Sequence, residues 1–411
     1  MKRLMNDCRG SASVFLVSIL GTMVMLVVAF IYATADSAVR SYSDSLLNMS
    51  SRAVLGEFDL DLKKDYGIFA FYGHKGQIED KIEKYVRYSA ADNKYVRIGT
   101  ISAYPGEYSL LDCNVFEKEI TDHMKYAAAK GIIEKLTGRD DPSHETIVKK
   151  EDRVLRNRSV TDSLPSRVYG FGQTDFTDRL DMIAENIGSI TDIIKNGMDT
   201  ALTNEYILAY FKDLLDDRPE HETFFRNEVE YIIEGSLSDE TNRKQVSHII
   251  VTARTTADAI SILKDEKMRG EVTALAQLLS PGPGGLILEA AIIAAWSYAE
   301  AKNDMALLEH GKKVPVLKDH RTWAVDLESA WKGTASGYID TGYSKGQDYE
   351  DYLRFILSFT ERKVKLARIM DLIQINMKGN HNRDFLIREY NCGFRLEAEI
   401  NGNRFSYDHV Y

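Results

Sequence analysis

Ser261 and Lys264 have the spacing of a nucleophile and its base, since a lysine one helical turn from a serine is the arrangement of penicillin-binding enzymes. Those enzymes also need Lys-Thr-Gly, and here Lys332-Gly333-Thr334 runs in the wrong order, so a serine and a lysine on a helix surface are the simpler reading. Asp59, Asp61 and Asp65 stand where the first ligands of a calcium loop would, but Lys64 and Ala70 occupy the positions that need Gly and Glu. A solvated helix end accounts for them. None of the nine histidines lies four residues from another with a Glu beside the first, the spacing a zinc-protease helix requires. Cys8, Cys113 and Cys392 are too scattered for a zinc knuckle, although Cys113 and Cys392 could pair on the oxidising side of a membrane. Ser280–Gly285, SPGPGG, lacks both the Lys-Ser/Thr of a phosphate loop and a Gly-x-Gly-x-x-Gly pattern. No catalytic residue, cofactor site or metal site is therefore expected, and the chain reads as a non-enzyme.

Composition narrows the classes that remain. The 52 Lys and Arg against 62 Asp and Glu give a net charge of −10, the wrong sign for a nucleic-acid partner. With 44% apolar residues and only 7 prolines in 411, the chain is folded, helix-leaning and long enough for two or three domains.

Ser11 to Ala35 carries no charge and holds twelve Leu, Ile, Val or Phe residues between Val14 and Ile31. At insertion energies of this kind that is roughly −4 to −7 kcal/mol in favour of entering a bilayer. Lys2, Arg3 and Arg9 precede the segment against Asp7, while Asp36, Arg40, Asp44 and Arg52 after it balance. The positive-inside rule then leaves the N-terminus in the cytoplasm and the bulk of the chain outside the cell membrane. A secretory signal cut after Ala33-Thr34-Ala35 is the rival, but its apolar core would be only about 7–15 residues. A basic leader ending at Gly10, followed by Ser11 and the apolar helix, also has the layout read by prepilin peptidases, which would cut between the two. Gly21, and Ala29 with Ala33, give the helix small faces that another helix can approach.

The opening Arg9–Leu16 (RGSASVFL) resembles the start of an uncharacterised family of Gram-positive membrane proteins encoded with tight-adherence (Tad/Flp) pilus genes, and more loosely the pilin-like TadE and TadG proteins. The resemblance extends over Glu57–Phe71, Asn227–Gly235, Gly311–Lys318, Tyr352–Leu357 and Arg368–Met377. Phe15 stands where pilins carry a glutamate near the start of the mature helix. The resemblance implies other pilus or assembly proteins as partners, beside the lipid bilayer itself.

Hydrophobic periodicity supplies the elements that must position these residues. Val39, Tyr42, Leu46, Met49 and Ala53 continue the apolar helix beyond the bilayer, to an end near Gly56. A strand is expected at Tyr66–Phe71, closed by Gly73, and another at Tyr95–Tyr104 between helices at Gln77–Ala91 and Val115–Leu136. Thr137–Ser166 is polar and holds Pro142 and Pro165, as a long loop would. Asp175–Asp217 and Asp239–Leu279 read as helical, Val229–Ile233 as a strand, and Tyr349–Met377 as a further helix. Leu286–Ala299 is nearly all apolar but short, and with Glu289 in it a buried core helix is expected there rather than a second span. Phe385–Tyr407 reads as a hairpin turning at Asn401-Gly402.

The fold class expected is α+β. A leader (1–10) precedes a transmembrane helix (11–35) and a stalk helix (36–64); the head's first part follows (65–136), then a polar loop or insertion (137–170) and a helix-rich remainder (171–411). The expected role is structural, as a pseudopilin-like component of a pilus system. An adhesion or sensor module that never joins a filament, or a membrane-anchored envelope enzyme, are the alternatives.

Overall fold

The computed structural model describes residues 8–90, 96–129, 158–174, 177–190, 198–216, 223–335, 338–343 and 345–411. Two compact units emerge. Unit 1 gathers Met1–Asp59, Ala70–Ser109 and Glu389–Tyr411, and unit 2 comprises Leu60–Phe69 and Leu110–Arg388. The leader falls outside the described residues up to position 7, as do positions 137–157 of the expected polar loop.

Unit 1 is organised on α1 (Cys8–Leu55), a single helix of 48 residues that spans about 72 Å at 1.5 Å per residue. It is exposed on every side over residues 13–38, and only then does an inner stripe begin: Ser43, Leu46, Leu47, Ser50, Ser51 and Val54 are buried at intervals of three and four. Gly56 ends it, its N–H bonding back to the carbonyl of Arg52 at 2.9 Å. The chain enters unit 2 as α2 (Leu60–Tyr66) and returns to unit 1 as β1 (Phe71–Tyr72), α3 (Lys75–Ser89) and β2 (Ile98–Tyr104). The strand expected at Tyr66–Phe71 is thus a correction: Leu62 and Tyr66, four apart, bury one face of a helix, and extended pairing starts only at Phe71.

The last part of the chain completes unit 1 with β3 (Tyr390–Asn391), β4 (Gly393–Ile400) and β5 (Asn403–Val410). β4 is the central strand of an antiparallel sheet of order β2-β4-β5, and β1 pairs with β3 separately. Phe394, Leu396, Ala398 and Ile400 alternate inward along β4. Asn401 (φ 54°) and Gly402 (φ 79°) form the two-residue hairpin turn, both in the left-handed conformation that such a turn requires. These strand residues, Ile78, Ile82 and Val86 of α3, and Leu46, Leu47, Val54 and Leu55 of α1 make one core.

Unit 2 is helical among its described residues. It contains α4 (Cys113–Ala129), the short α5 (Arg158–Asp162) and α6 (Pro165–Val168), α7 (Thr177–Asn186), α8 (Met198–Tyr210) and α9 (Glu228–Glu234). These are followed by α10 (Asp239–Lys264), α11 (Glu266–Leu279), α12 (Gly284–Glu309), α13 (Leu327–Lys332), α14 (Tyr349–Ser358) and α15 (Arg362–Asn380). Three expectations are corrected here. Val229–Ile233 is the middle of α9, not a strand: all seven residues of that helix are buried, so no amphipathic period is left to show. The helix expected over Asp239–Leu279 breaks at Asp265, whose carboxylate accepts the N–H groups of Lys267 (2.9 Å) and Met268 (3.1 Å) and so starts α11 as an N-cap. Leu286–Ala299 is helical but not wholly core, because Leu286 and Ile287 are 75% and 80% exposed and burial on α12 begins in earnest only at Ile292. Met268, Val272, Ala276, Ile262, Ile292 and Trp296 form the apolar core shared by α10, α11 and α12.

Candidate functional site

Over residues 14–38 the side chains of α1 are exposed. Gly10 and Ser11 lie in its first turns, where backbone alone is described. A Cβ added at Gly21 would meet nothing within 4 Å. Ala29 and Ala33 lie one turn apart on one exposed face. The hydroxyls of this segment are satisfied along the helix: Ser18 donates to the carbonyl of Val14 at 2.9 Å, Thr22 to Ile19 at 2.8 Å and Thr34 to Phe30 at 2.7 Å. The helix is long and apolar enough to cross a membrane.

The residues with catalytic spacing do not converge. Ser261 is buried, its Oγ donating to the carbonyl of Ala257 at 2.9 Å and accepting the Lys318 N–H at 3.1 Å, whereas Lys264 is exposed. Asp59 belongs to unit 1, where its Oδ2 accepts the hydroxyl of Tyr390 at 3.0 Å. Asp61 and Asp65 of unit 2 flank the ring of His381 instead, at 3.4 and 2.7 Å. Among the described residues no group of three or more His, Cys, Asp or Glu has the arrangement of a metal site. Cys113 and Cys392 are buried thiols rather than a disulfide.

Unit 2 instead concentrates its chemistry in two buried polar networks that periodicity does not announce. The first lies between α10 and α12. Arg254, fully buried, donates through Nε and Nη2 to Asp304 Oδ2 (2.9 and 2.6 Å), through Nη2 to Asp258 Oδ1 (2.7 Å), and through Nη1 to the carbonyls of Pro315 (2.9 Å) and Val316 (2.8 Å). Lys318 Nζ sits at 2.5 Å from both Glu300 Oε1 and Asp304 Oδ1. Glu300 Oε2 in turn accepts the N–H of Val325 at 2.8 Å, which fixes the strap leading into α13. Three carboxylates thus face two cations away from water. Burial, together with the charges of Asp304 and Glu300, pushes Asp258 far above the usual carboxylate range, and its Oδ2 has no hydrogen-bond partner.

The second network surrounds α9. Glu228 accepts the Lys212 N–H (3.0 Å) and the Asn376 amide (2.7 Å), and Tyr231 donates to Asp371 Oδ2 at 2.8 Å. Arg368 Nη1 takes the carbonyls of Ile232 (2.9 Å) and Ile233 (2.6 Å), satisfying acceptors that the end of the helix leaves open. Gly235, at φ 80°, closes that end, and a Cβ there would lie 2.4 Å from the Arg368 guanidinium carbon. A glycine is needed for both reasons. Gln374 and Asn376 of α15 tie down loop backbone in the same manner, accepting from Ile387 N–H at 3.1 Å and Phe224 N–H at 3.0 Å. These polar side chains act as local substitutes for secondary structure, holding irregular backbone in a dry interior.

Glu230 is the outlier within α9. Its Oε1 accepts the hydroxyl of Tyr349 at 2.7 Å and the Leu214 N–H at 3.1 Å, while Oε2 is buried with no partner. Burial, and then the charge of Asp213, push its carboxyl up from 4.5 to about 8. Between those values the folded chain holds a proton that the unfolded chain has lost, so this group's contribution to stability falls as pH rises from about 4.5 to about 8. Glu230→Gln, which stays neutral, is expected to flatten that decline: its melting temperature should exceed that of the wild type near pH 8 and match it below pH 4.5. Thermal melts across this range check it, and parallel pH slopes for the two proteins would be the contrary result.

An α+β protein with a long apolar N-terminal helix and a helical unit that encloses buried ion networks is the class these observations define. The chain belongs to a family of unknown function, DUF5702, whose family model matches residues 119–402. No curated protein and no solved structure matches it. The matched stretch contains both buried networks and ends within the β4–β5 turn.

Proposed function

We propose that the chain is a single-pass membrane protein with its N-terminus in the cytoplasm, acting as a pseudopilin-like structural or assembly component of a Tad/Flp-type pilus or surface secretion system in a Gram-positive cell. The observation that carries the reading is the division of labour along α1. From residue 13 to residue 38 it is exposed on all sides, and its last part is the spine against which the β2-β4-β5 sheet and α3 pack. Such a helix is stored in a bilayer and can pass into a helical bundle without rebuilding the head, because bilayer and bundle are both apolar. Gly21, Ala29 and Ala33 are where a second helix comes closest. The function is packing, with no turnover, and a prepilin peptidase and other assembly proteins are the partners. Extraction from the bilayer takes external work, supplied in such systems by a cytoplasmic ATPase.

Complementation tests this. In cells lacking the chain, the wild type and a Ser261→Ala/Lys264→Ala variant are both expected to restore surface filaments, whereas Gly10→Trp accumulates in the membrane as a slightly larger, unprocessed product. Normal filaments in cells lacking the chain altogether, or their loss with folded Ser261→Ala/Lys264→Ala, would refute the reading.

A further inference from the structure

We infer that the tip of the α11–α12 hairpin is a lipid-contacting surface that enters the interfacial layer of a bilayer. No charged residue occurs between Glu271 and Glu289, and at the tip Leu278, Leu286 and Ile287 are 77%, 75% and 80% exposed, with Leu279 half exposed beside them. The other face of the same hairpin is already spent: Met268, Val272, Ala276, Ile292 and Trp296 pack into the unit 2 core. The tip is therefore held in place by one face while its aliphatic side chains project from the other.

The chemistry of the tip fits lipid better than protein. Protein-binding hot spots are rich in Trp, Tyr and Arg and use hydrogen bonds for register, and the tip offers only Leu, Ile, Pro, Gly and one Ser. Part of its backbone needs no water: Pro281 and Pro283 have no N–H, Ser280 N–H donates to the Ala276 carbonyl at 2.9 Å, and Gly285 N–H to the Gly282 carbonyl at 3.0 Å. Glu289, which accepts the Thr273 hydroxyl at 2.7 Å, follows Ile287 by about 3 Å of helix rise and limits entry to a shallow depth. Because the chain is acidic overall, the contact rests on apolar area and not on attraction to anionic headgroups. The inference draws on the anchoring role proposed for α1, which keeps the head at high effective concentration beside a bilayer.

Full-length chain carrying Cys8→Ser with Ile287→Cys, or with Lys264→Cys as the water-exposed control, is labelled with an environment-sensitive fluorophore and reconstituted into phosphatidylcholine vesicles; Cys113 and Cys392 are buried. The Ile287 label should emit further to the blue, be quenched by lipid bearing a nitroxide high on its acyl chain, and be several-fold less accessible to iodide than the Lys264 label, with lipid quenching unchanged in high salt. A label at Ile287 as accessible to iodide as the control and untouched by the nitroxide overturns the proposal. So does one shielded from both quenchers and cross-linking to a second chain, which would mark a protein interface. If the α1 anchor fails, the chain stays out of the vesicle fraction. The two labels are then read on protein mixed with vesicles, where an unquenched Ile287 label again overturns the proposal.

Discussion

Arg254→Leu is expected to cost unit 2 about 3–5 kcal/mol, the range for removing one partner of a buried ion network. Against a typical total of about 5–15 kcal/mol, that is enough to leave much of the protein unfolded at growth temperature. The loss does not come from the attraction of Arg254 for Asp304 alone. The substitution strands the carbonyls of Pro315 and Val316, leaves Lys318 alone to neutralise Asp304 and Glu300, and removes the guanidinium that donates to Asp258 Oδ1. Arg254→Lys should recover little, because a single ammonium cannot reproduce the fork that reaches two carboxylates and two carbonyls. Replacing Arg254 and Asp304 together by apolar residues of similar volume should recover more than Arg254→Lys does, since the stranded charge is then gone. Denaturant melts of the four proteins check the order, and an unchanged midpoint for Arg254→Leu would show the network to be dispensable.

Leu46→Pro is expected to dismantle unit 1. The ring removes one helical hydrogen bond and collides with the carbonyl four residues back, at about 3 kcal/mol or more. Leu46 is also 3% exposed in the core shared with β4 and α3, so its side-chain packing is lost as well. Met49 separates the two contributions: it lies on the same helix but is 55% exposed. Met49→Pro should lose most of what Leu46→Pro loses, and Met49→Ala should change stability by less than about 0.5 kcal/mol. Limited proteolysis of the β4–β5 hairpin and surface-filament assembly are the readouts. A Pro at either position that left the hairpin protected would mean that α1 is not the spine of this unit.

The parts of the fold that could be read from sequence are those with one wet face and one dry one. The alternation along β4 and the Asn401-Gly402 turn each leave a local signature, and each is where the pattern puts it, whereas on α1 the helix was legible but its dry face was not: of Val39, Tyr42, Leu46, Met49 and Ala53 only Leu46 is buried, because the small Ser43, Ser50 and Ser51 take core positions. Helix α9 is dry all round, and Val229, Ile232 and Ile233 then imitate a buried strand. Gly235 just after it was the usable signal for a helix end, as Asp265 before Glu266 was for a helix start. The ion network was half legible. Arg254 and Asp258 fall on the stripe of α10 that also carries Ile250, Ala257 and Ser261, so a charged pair stood on a core-facing line. Asp304, which Arg254 binds, and Lys318, which binds Asp304 in turn, lie some 50 and 60 residues on, beyond the reach of any local period.

The strand pairing of unit 1 sets a timetable for its birth. The inner stripe of α1 ends at Leu55, yet the central strand that covers it begins at Gly393, about 340 residues later. At about 5–20 residues per second, the nascent chain carries that stripe without its central strand for roughly 17–70 s, with α3 the helix of this unit already made to pack on it. All of Leu110–Arg388 is polymerised in the interval, so unit 2 can mature while unit 1 is still waiting for its last strands. A ribosome stalled before Gly393 would hold a chain whose helical unit resists protease and whose N-terminal helix does not, and a translocating or chaperoning factor has its longest opportunity on residues 43–55.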